Sequence, residues 1–150
     1  FEGELAIVIG RICKLVPVDR VPEVIFGYTA ANDVTARDWQ SSAGQWARAK
    51  GSDTSLPLGP WINTHLSIEE AERLHLETRL GDEVRQSGST SQMVRGIAEL
   101  VSYISAFTTL LPGDIILTGT PAGVGAMDPG DVVHVEIEGL GTLRNPVADA

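Results

Sequence analysis

The apolar residues of this chain come in short runs. "LAIVIG" and "DIILTG" are among the longest, and glycine closes both. With 16 Gly and 8 Pro among 150 residues, turns recur too often for long helices, and the pattern predicts short strands joined by tight connections. None of the runs approaches the roughly 20 residues that a helix needs to span a bilayer. A chain of this length fills one domain and buries about two thirds of the surface its unfolded form exposes, so a real core is expected.

Along the chain, "EGELAIVIGRICKLV" alternates and then runs apolar, a strand at least half buried that Pro17 ends. "VPEVIFGYTAANDVT" predicts a short helical turn feeding a second strand. "ARDWQSSAGQWARAKGSDTSLPLGP" is too rich in Gly, Ser and polar residues to be helix or strand. A loop of that length in a small domain points to an active-site segment. "LHLETRLGDEVRQSGST" alternates on both sides of Gly81 and Asp82 and predicts a hairpin with one solvated face, and "DVVHVEIEGLGTLRNPV" predicts a second around Gly139 to Gly141. Between them, Met93, Ile97, Leu100, Val101, Ile104 and Phe107 fall on one face at helical spacing, behind a capping box of Ser89 and Gln92. "LLPGDIILTGTPAGVG" predicts a turn, a buried strand and a Gly-rich loop. The expected fold is α+β, mainly β, with one principal helix.

Charge narrows the partners. Twenty acidic residues against 11 basic ones give a net charge of -9, which repels phosphate backbones and anionic membranes and suits a cation. Cys13 is the only cysteine. No intrachain disulfide can form, and a cytoplasmic location is expected.

The chemistry-bearing residues gather at two places. In a strand, Glu2 and Glu4 share a face, with Gly3 between them letting other backbone approach. Two carboxylates that close need a cation or open water. Asp33 follows the second strand and can reach the same rim, and three carboxylate oxygens suit Mg²⁺ or Mn²⁺ while leaving positions for substrate. Zinc is disfavoured, because His65, His75 and His134 lie in no ligand spacing. Lys50, one of only two lysines, sits in the long polar segment and could face a developing oxyanion. "TGTPAGVG" lacks the ending of a phosphate loop, so its glycines and Thr120 fit a small anion better than a nucleotide. Ser91 has no base pattern near it, which argues against a serine hydrolase.

Taken together, "EGELAIVIG", "GYTAANDVTARDWQ", "AKGSDTSLPLGPWI", "RQSGSTSQM", "LPGDIILTGTPAGVG" and "GDVVHVEIEGLGTLRN" resemble, in order, the blocks of the fumarylacetoacetate hydrolase family. The resemblance implies a mixed β-roll or distorted β-sandwich, a divalent metal held by Glu2, Glu4 and Asp33, and substrate contacts from Arg37, Gln40, Lys50 and Thr120, with Lys50 catalytic. It also implies a homodimer. In the family, the histidine and glutamate that activate water lie in a lid upstream of the first block. Residues 1–150 are therefore expected to be one catalytic domain without that lid, in a chain that opens at Phe1 already inside a strand.

Substrates of the resembled family are small 2-oxo acids that chelate the metal and react through an enolate of pyruvate type. The first expectation is a hydrolase that cleaves a carbon–carbon bond in acylpyruvate-type 2,4-dioxo acids. The second is a 2-hydroxyhepta-2,4-diene-1,7-dioate isomerase and decarboxylase, or an oxaloacetate decarboxylase, in aromatic catabolism. A non-catalytic β-domain that binds a metal for stability is the third.

Overall fold

A strand that is apolar on both faces has to be covered on both, and the first strand sets the architecture. The computed structural model describes residues 1–42 and 44–149. Strand β1, Gly3–Ile9, is buried at every position. It pairs antiparallel with β2, Ile25–Asn32, on one side and with β6, Ile115–Leu117, on the other. β3, Leu58–Asn63, completes a four-stranded sheet in the order β3-β2-β1-β6. The second sheet has the order β5-β4-β7-β8, from β4 His75–Leu80, β5 Glu83–Ser89, β7 Val132–Ile137 and β8 Gly141–Pro146.

The sheets pack face to face, β1 against β4 and β7 and β2 against β7 and β8. Leu5, Ile7 and Ile9 meet Leu76, Val135 and Ile137 in the shared core. Both expected hairpins form. Leu80 pairs with Glu83 around Gly81, whose φ of 59° is the left-handed value such a turn requires. β1 stops at Ile9 rather than at Pro17: its register with β2 shifts between Val8 and Ile9, and Arg11 and Ile12 beyond it are exposed.

The principal helix, α4, runs Ile97–Phe107, later than the spacing predicted. The Ser89–Gln92 capping box exists, but it closes a single 3-10 turn, Thr90–Gln92. The first helical N–H, on Ile97, is satisfied instead by Glu72 Oε1 at 2.7 Å, a cap supplied from 25 residues away. The buried stripe is Ile97, Val101 and Ser105. Phe107 lies outside it, exposed and edge-on to Tyr103 at 5.6 Å.

The segment read as irregular also holds order. Arg37–Ser42 forms α1 and Ala47–Lys50 forms α2, and Arg48 stacks on the Trp39 ring at 4.2 Å to tie them together. Helices this short are unstable alone, which is why local pattern did not show them. A third short helix, α3, spans Ile68–Ala71. None of the described helices is long and apolar enough to cross a membrane.

Candidate metal centre

Strand alternation builds the site. Gly3, Leu5, Ile7 and Ile9 face the second sheet, so Glu2 and Glu4 lie together on the other face at the start of β1. Antiparallel pairing then brings the end of β2 alongside. Gly3 sits opposite Asn32, Glu2 N–H donates to Asn32 Oδ1 at 3.0 Å, and Asp33 N–H donates to Glu2 O at 2.9 Å. The three carboxylates each present an oxygen within 4.8 Å of the others. All three are buried, Glu4 most deeply at 3% exposed.

Charges held this far from water need partners. Two come from the α1–α2 pair. Arg37 Nη2 donates to Glu2 Oε1 at 2.7 Å, and Lys50 Nζ donates to Glu2 Oε2 at 2.8 Å and also to Asp33 Oδ2. Burial pushes the Glu2 carboxyl up, but the bonds from Lys50 and Arg37 outweigh it and hold Glu2 below the usual carboxylate range. Lys50 is the mirror case. Burial disfavours its charge, and the bonds to Asp33 and Glu2 keep its pKa above the ordinary lysine value.

Among the described residues, no cationic side chain bonds to Glu4, and its one hydrogen-bond partner is the Gly119 N–H, 2.6 Å from Oε2. Burial, aided by the charges of Asp33 and Glu2 and only partly offset by that amide, raises its pKa to about 7. Three carboxylates thus face two cations, and the unmatched charge falls on Glu4.

Of the residues expected at substrate, Arg37 and Lys50 reach the cluster directly. Gln40 does so through Arg37, accepting from Arg37 Nη1 at 2.8 Å one helical turn away. Thr120 is arranged differently. Its hydroxyl donates to Gly3 O at 2.8 Å and accepts from Gln86 Nε2 at 2.8 Å, so its proton is already engaged within the protein.

Sequence reasoning missed Gln86 and the Gly119 amide. Gln86 sits on the core face of β5, yet among charged and polar neighbours it reads as one more solvated residue. A cavity of about 380 Å³ shares the Thr118–Pro121 loop as a wall and is floored by Leu5, Leu76 and Leu100; none of the three carboxylates lines it.

The donor set fits a hard divalent ion. All three groups are buried carboxylates, and Glu4 among them bonds to no cationic side chain of the described residues. No imidazole or thiolate joins them among the described residues.

Comparison with known proteins points the same way. The family model described as fumarylacetoacetate hydrolase, C-terminal, matches residues 1–148. The chain is 57% identical over 147 residues to a Mycobacterium tuberculosis protein, covering 98% of this chain and 56% of that one. It is 44% identical to an oxaloacetate tautomerase of Bacillus subtilis, covering 98% and 51%. Among solved structures, a 5-carboxymethyl-2-hydroxymuconate delta-isomerase from Mycobacterium smegmatis superposes with a TM-score of 0.94 at 56% identity, covering 98% of this chain and 57% of that one. A 2-hydroxyhepta-2,4-diene-1,7-dioate isomerase from Mycobacterium marinum gives 0.95 at 55%, covering 99% and 57%. A maleylpyruvate hydrolase from Sphingobium sp. SYK-6, in complex with manganese(II) and pyruvate, gives 0.89 at 36%, covering 98% and 53%. The chain spans little more than half the length of these relatives.

Proposed function

Because the chain belongs to the fumarylacetoacetate hydrolase family, whose named relatives are isomerases, a tautomerase and a hydrolase, we propose that it is a divalent-metal-dependent enzyme acting on small 2-oxo acids. Glu2, Glu4 and Asp33 would hold the ion, Mg²⁺ or Mn²⁺. When bound, it supplies a Lewis acid toward the oxygens of a 2-oxo carboxylate. The observation that carries this reading is the buried trio of carboxylates with one charge unmatched.

The surrounding residues then have definite tasks. Arg37 uses two of its five N–H groups on Glu2 and Gln40, and the others are left to meet a substrate carboxylate. Lys50 spends two of three N–H groups on Glu2 and Asp33. Its third is left for the substrate oxygen that carries more negative charge in the enolate form than in the keto form.

Proton shift, as in isomerisation or tautomerisation, is the reaction we favour. It needs no attacking water, and the isomerases stand at 55–56% identity. Carbon–carbon hydrolysis, which the sequence put first, stands second on the maleylpyruvate hydrolase likeness.

The test is a substrate panel on the protein at its natural length. It comprises the heptadienedioate, 5-carboxymethyl-2-hydroxymuconate, enol oxaloacetate and acylpyruvates, each with Mn²⁺ or with a chelator, for the native protein and for Asp33→Ala. We expect Mn²⁺-dependent turnover of a dienedioate or of oxaloacetate, and its loss in Asp33→Ala. Failure of every substrate, with Mn²⁺ still bound, would leave the metal-binding β-domain.

A further inference from the structure

We propose that Gln86 is a positioning residue for the carboxylate site, holding the peptide between Glu2 and Glu4 and the loop that carries the Gly119 amide in one fixed arrangement. This rests on the metal-binding reading above. Gln86 belongs to the opposite sheet and is 1% exposed. Its carboxamide oxygen accepts from Gly3 N–H at 2.9 Å, and its nitrogen donates to Thr120 Oγ1 and to Pro121 O, both at 2.8 Å. Thr120 Oγ1 in turn donates to Gly3 O at 2.8 Å. Both polar groups of Gly3 are therefore tied into one closed ring, directly on the N–H side and through Thr120 on the C=O side.

Two steric facts show that the chain is shaped around this ring. A Cβ on Gly3 would collide with Thr78 Oγ1 and press on Gln86 Oε1. What approaches the glycine of "EGE" is thus a pair of side chains from the second sheet, where the sequence suggested backbone. Gly123 repeats the pattern on the loop side: at φ 104° it crosses Arg85 O and the Gln86 side chain too closely for any Cβ.

Removing the carboxamide would free Gly3 N–H, Pro121 O and one lone pair of Thr120 together. Glu2 and Glu4 flank the released peptide, and the Gly119 N–H on Glu4 belongs to the released loop. Groups that orient a ligand in this way typically change metal affinity by about 10- to 100-fold. That is the range expected here.

The experiment measures Mn²⁺ dissociation constants by calorimetry, and the Mn²⁺ line shape by electron paramagnetic resonance, at a temperature where each variant is folded. Gln86→Met keeps bulk and removes every hydrogen bond. Val101→Ala, in the core of α4, controls for lost stability. We expect Mn²⁺ to bind about 10-fold or more weakly to Gln86→Met, with an altered line shape, while Val101→Ala matches the native protein in both. Affinity within twofold of native in folded Gln86→Met would overturn the inference. If Gln86→Met does not fold, Gln86→Glu decides: ionised, it keeps an acceptor for Gly3 but has no donor for Thr120 and Pro121. Weakened Mn²⁺ binding supports the role, and native affinity refutes it. A native protein that binds no Mn²⁺ at all removes the metal reading itself, and this inference with it.

Discussion

The two flanks of the carboxylate cluster stabilise negative charge by different means. On the α1–α2 side, Arg37 and Lys50 bring full charges on long side chains, and Arg37 is itself 44% exposed. On the Thr118–Pro121 side no charged side chain of the described residues bonds to the cluster, and the contact is a backbone amide on the loop held by the Gln86 ring. Glu2, on the first flank, is held ionised; Glu4, on the second, is left near neutrality at about 7. Two glutamates two residues apart at the start of β1 thus have opposite electrostatics. On the proposed function, the more exposed, charged flank would match charge that varies during a reaction, and the buried, uncharged flank would keep a fixed place for an ion.

The largest expected effect comes from Lys50→Met. If the third N–H of Lys50 meets charge that grows in the transition state, turnover should fall by about 10²- to 10³-fold, equivalent to roughly 3–4 kcal/mol. Mn²⁺ affinity should hold steady or rise, because the ammonium and the ion draw on the same oxygens of Glu2 and Asp33. Steady-state kinetics beside calorimetry separates the two quantities. A raised Michaelis constant with unchanged turnover would make Lys50 a binding residue only.

The readable parts of the molecule are those fixed by local chemistry. Glycine-centred hairpins and the period of two that sets Glu2 beside Glu4 follow from a few adjacent residues, and both were visible. Asp33 was visible because a strand end can be located to within a residue or two. The helices at 37–50 were not, since a six-residue and a four-residue helix persist through the Trp39–Arg48 stack and the Lys50 bonds. Gln86 was hidden for a stronger reason. A buried carboxamide is tolerable only when its bonds are satisfied, and its partners lie 83, 34 and 35 residues away. Thr120 was expected at the substrate, and in the structure its hydroxyl bonds within the same ring.

A second prediction isolates the uncharged flank through pH. The folded pKa of Glu4, about 7, lies above its unfolded value of 4.5. The folded state therefore binds the extra proton between those values, and stability from this group is fully present below 4.5 and is lost as pH rises through 7. For metal-free protein the loss is on the order of 3 kcal/mol, the free-energy equivalent of a rise from 4.5 to about 7. Glu2 does not mask it, since its lowered pKa changes stability only at more acid pH. Urea unfolding between about pH 5 and pH 8, in chelator and in saturating Mn²⁺, is the measurement. The decline should appear in chelator and vanish with Mn²⁺, which binds the ionised form. Glu4→Gln keeps an acceptor for Gly119 and should abolish the decline. An undiminished decline in that variant would assign the titration elsewhere.

The smallest effect is expected where the charged flank is most adaptable. Gln40 touches the site only by accepting from Arg37, and that hydrogen bond is exposed. An exposed bond of this kind contributes roughly 0.5–1.5 kcal/mol at most, and Arg37 keeps its bond to Glu2 without it. Gln40→Ala should therefore leave stability within about 0.5 kcal/mol and raise the Michaelis constant only a few-fold, with turnover unchanged, because a guanidinium that wanders weakens substrate capture without altering the oxygen that Lys50 faces. The contrast with Gln86→Met is direct, since both remove one glutamine carboxamide near the same cluster, one from the solvated flank and one from the buried ring. If Gln40→Ala lowered Mn²⁺ affinity as much as Gln86→Met, the division into an adaptable and a fixed flank would fail, and charge orientation on α1 would have to be counted part of the ion's own site.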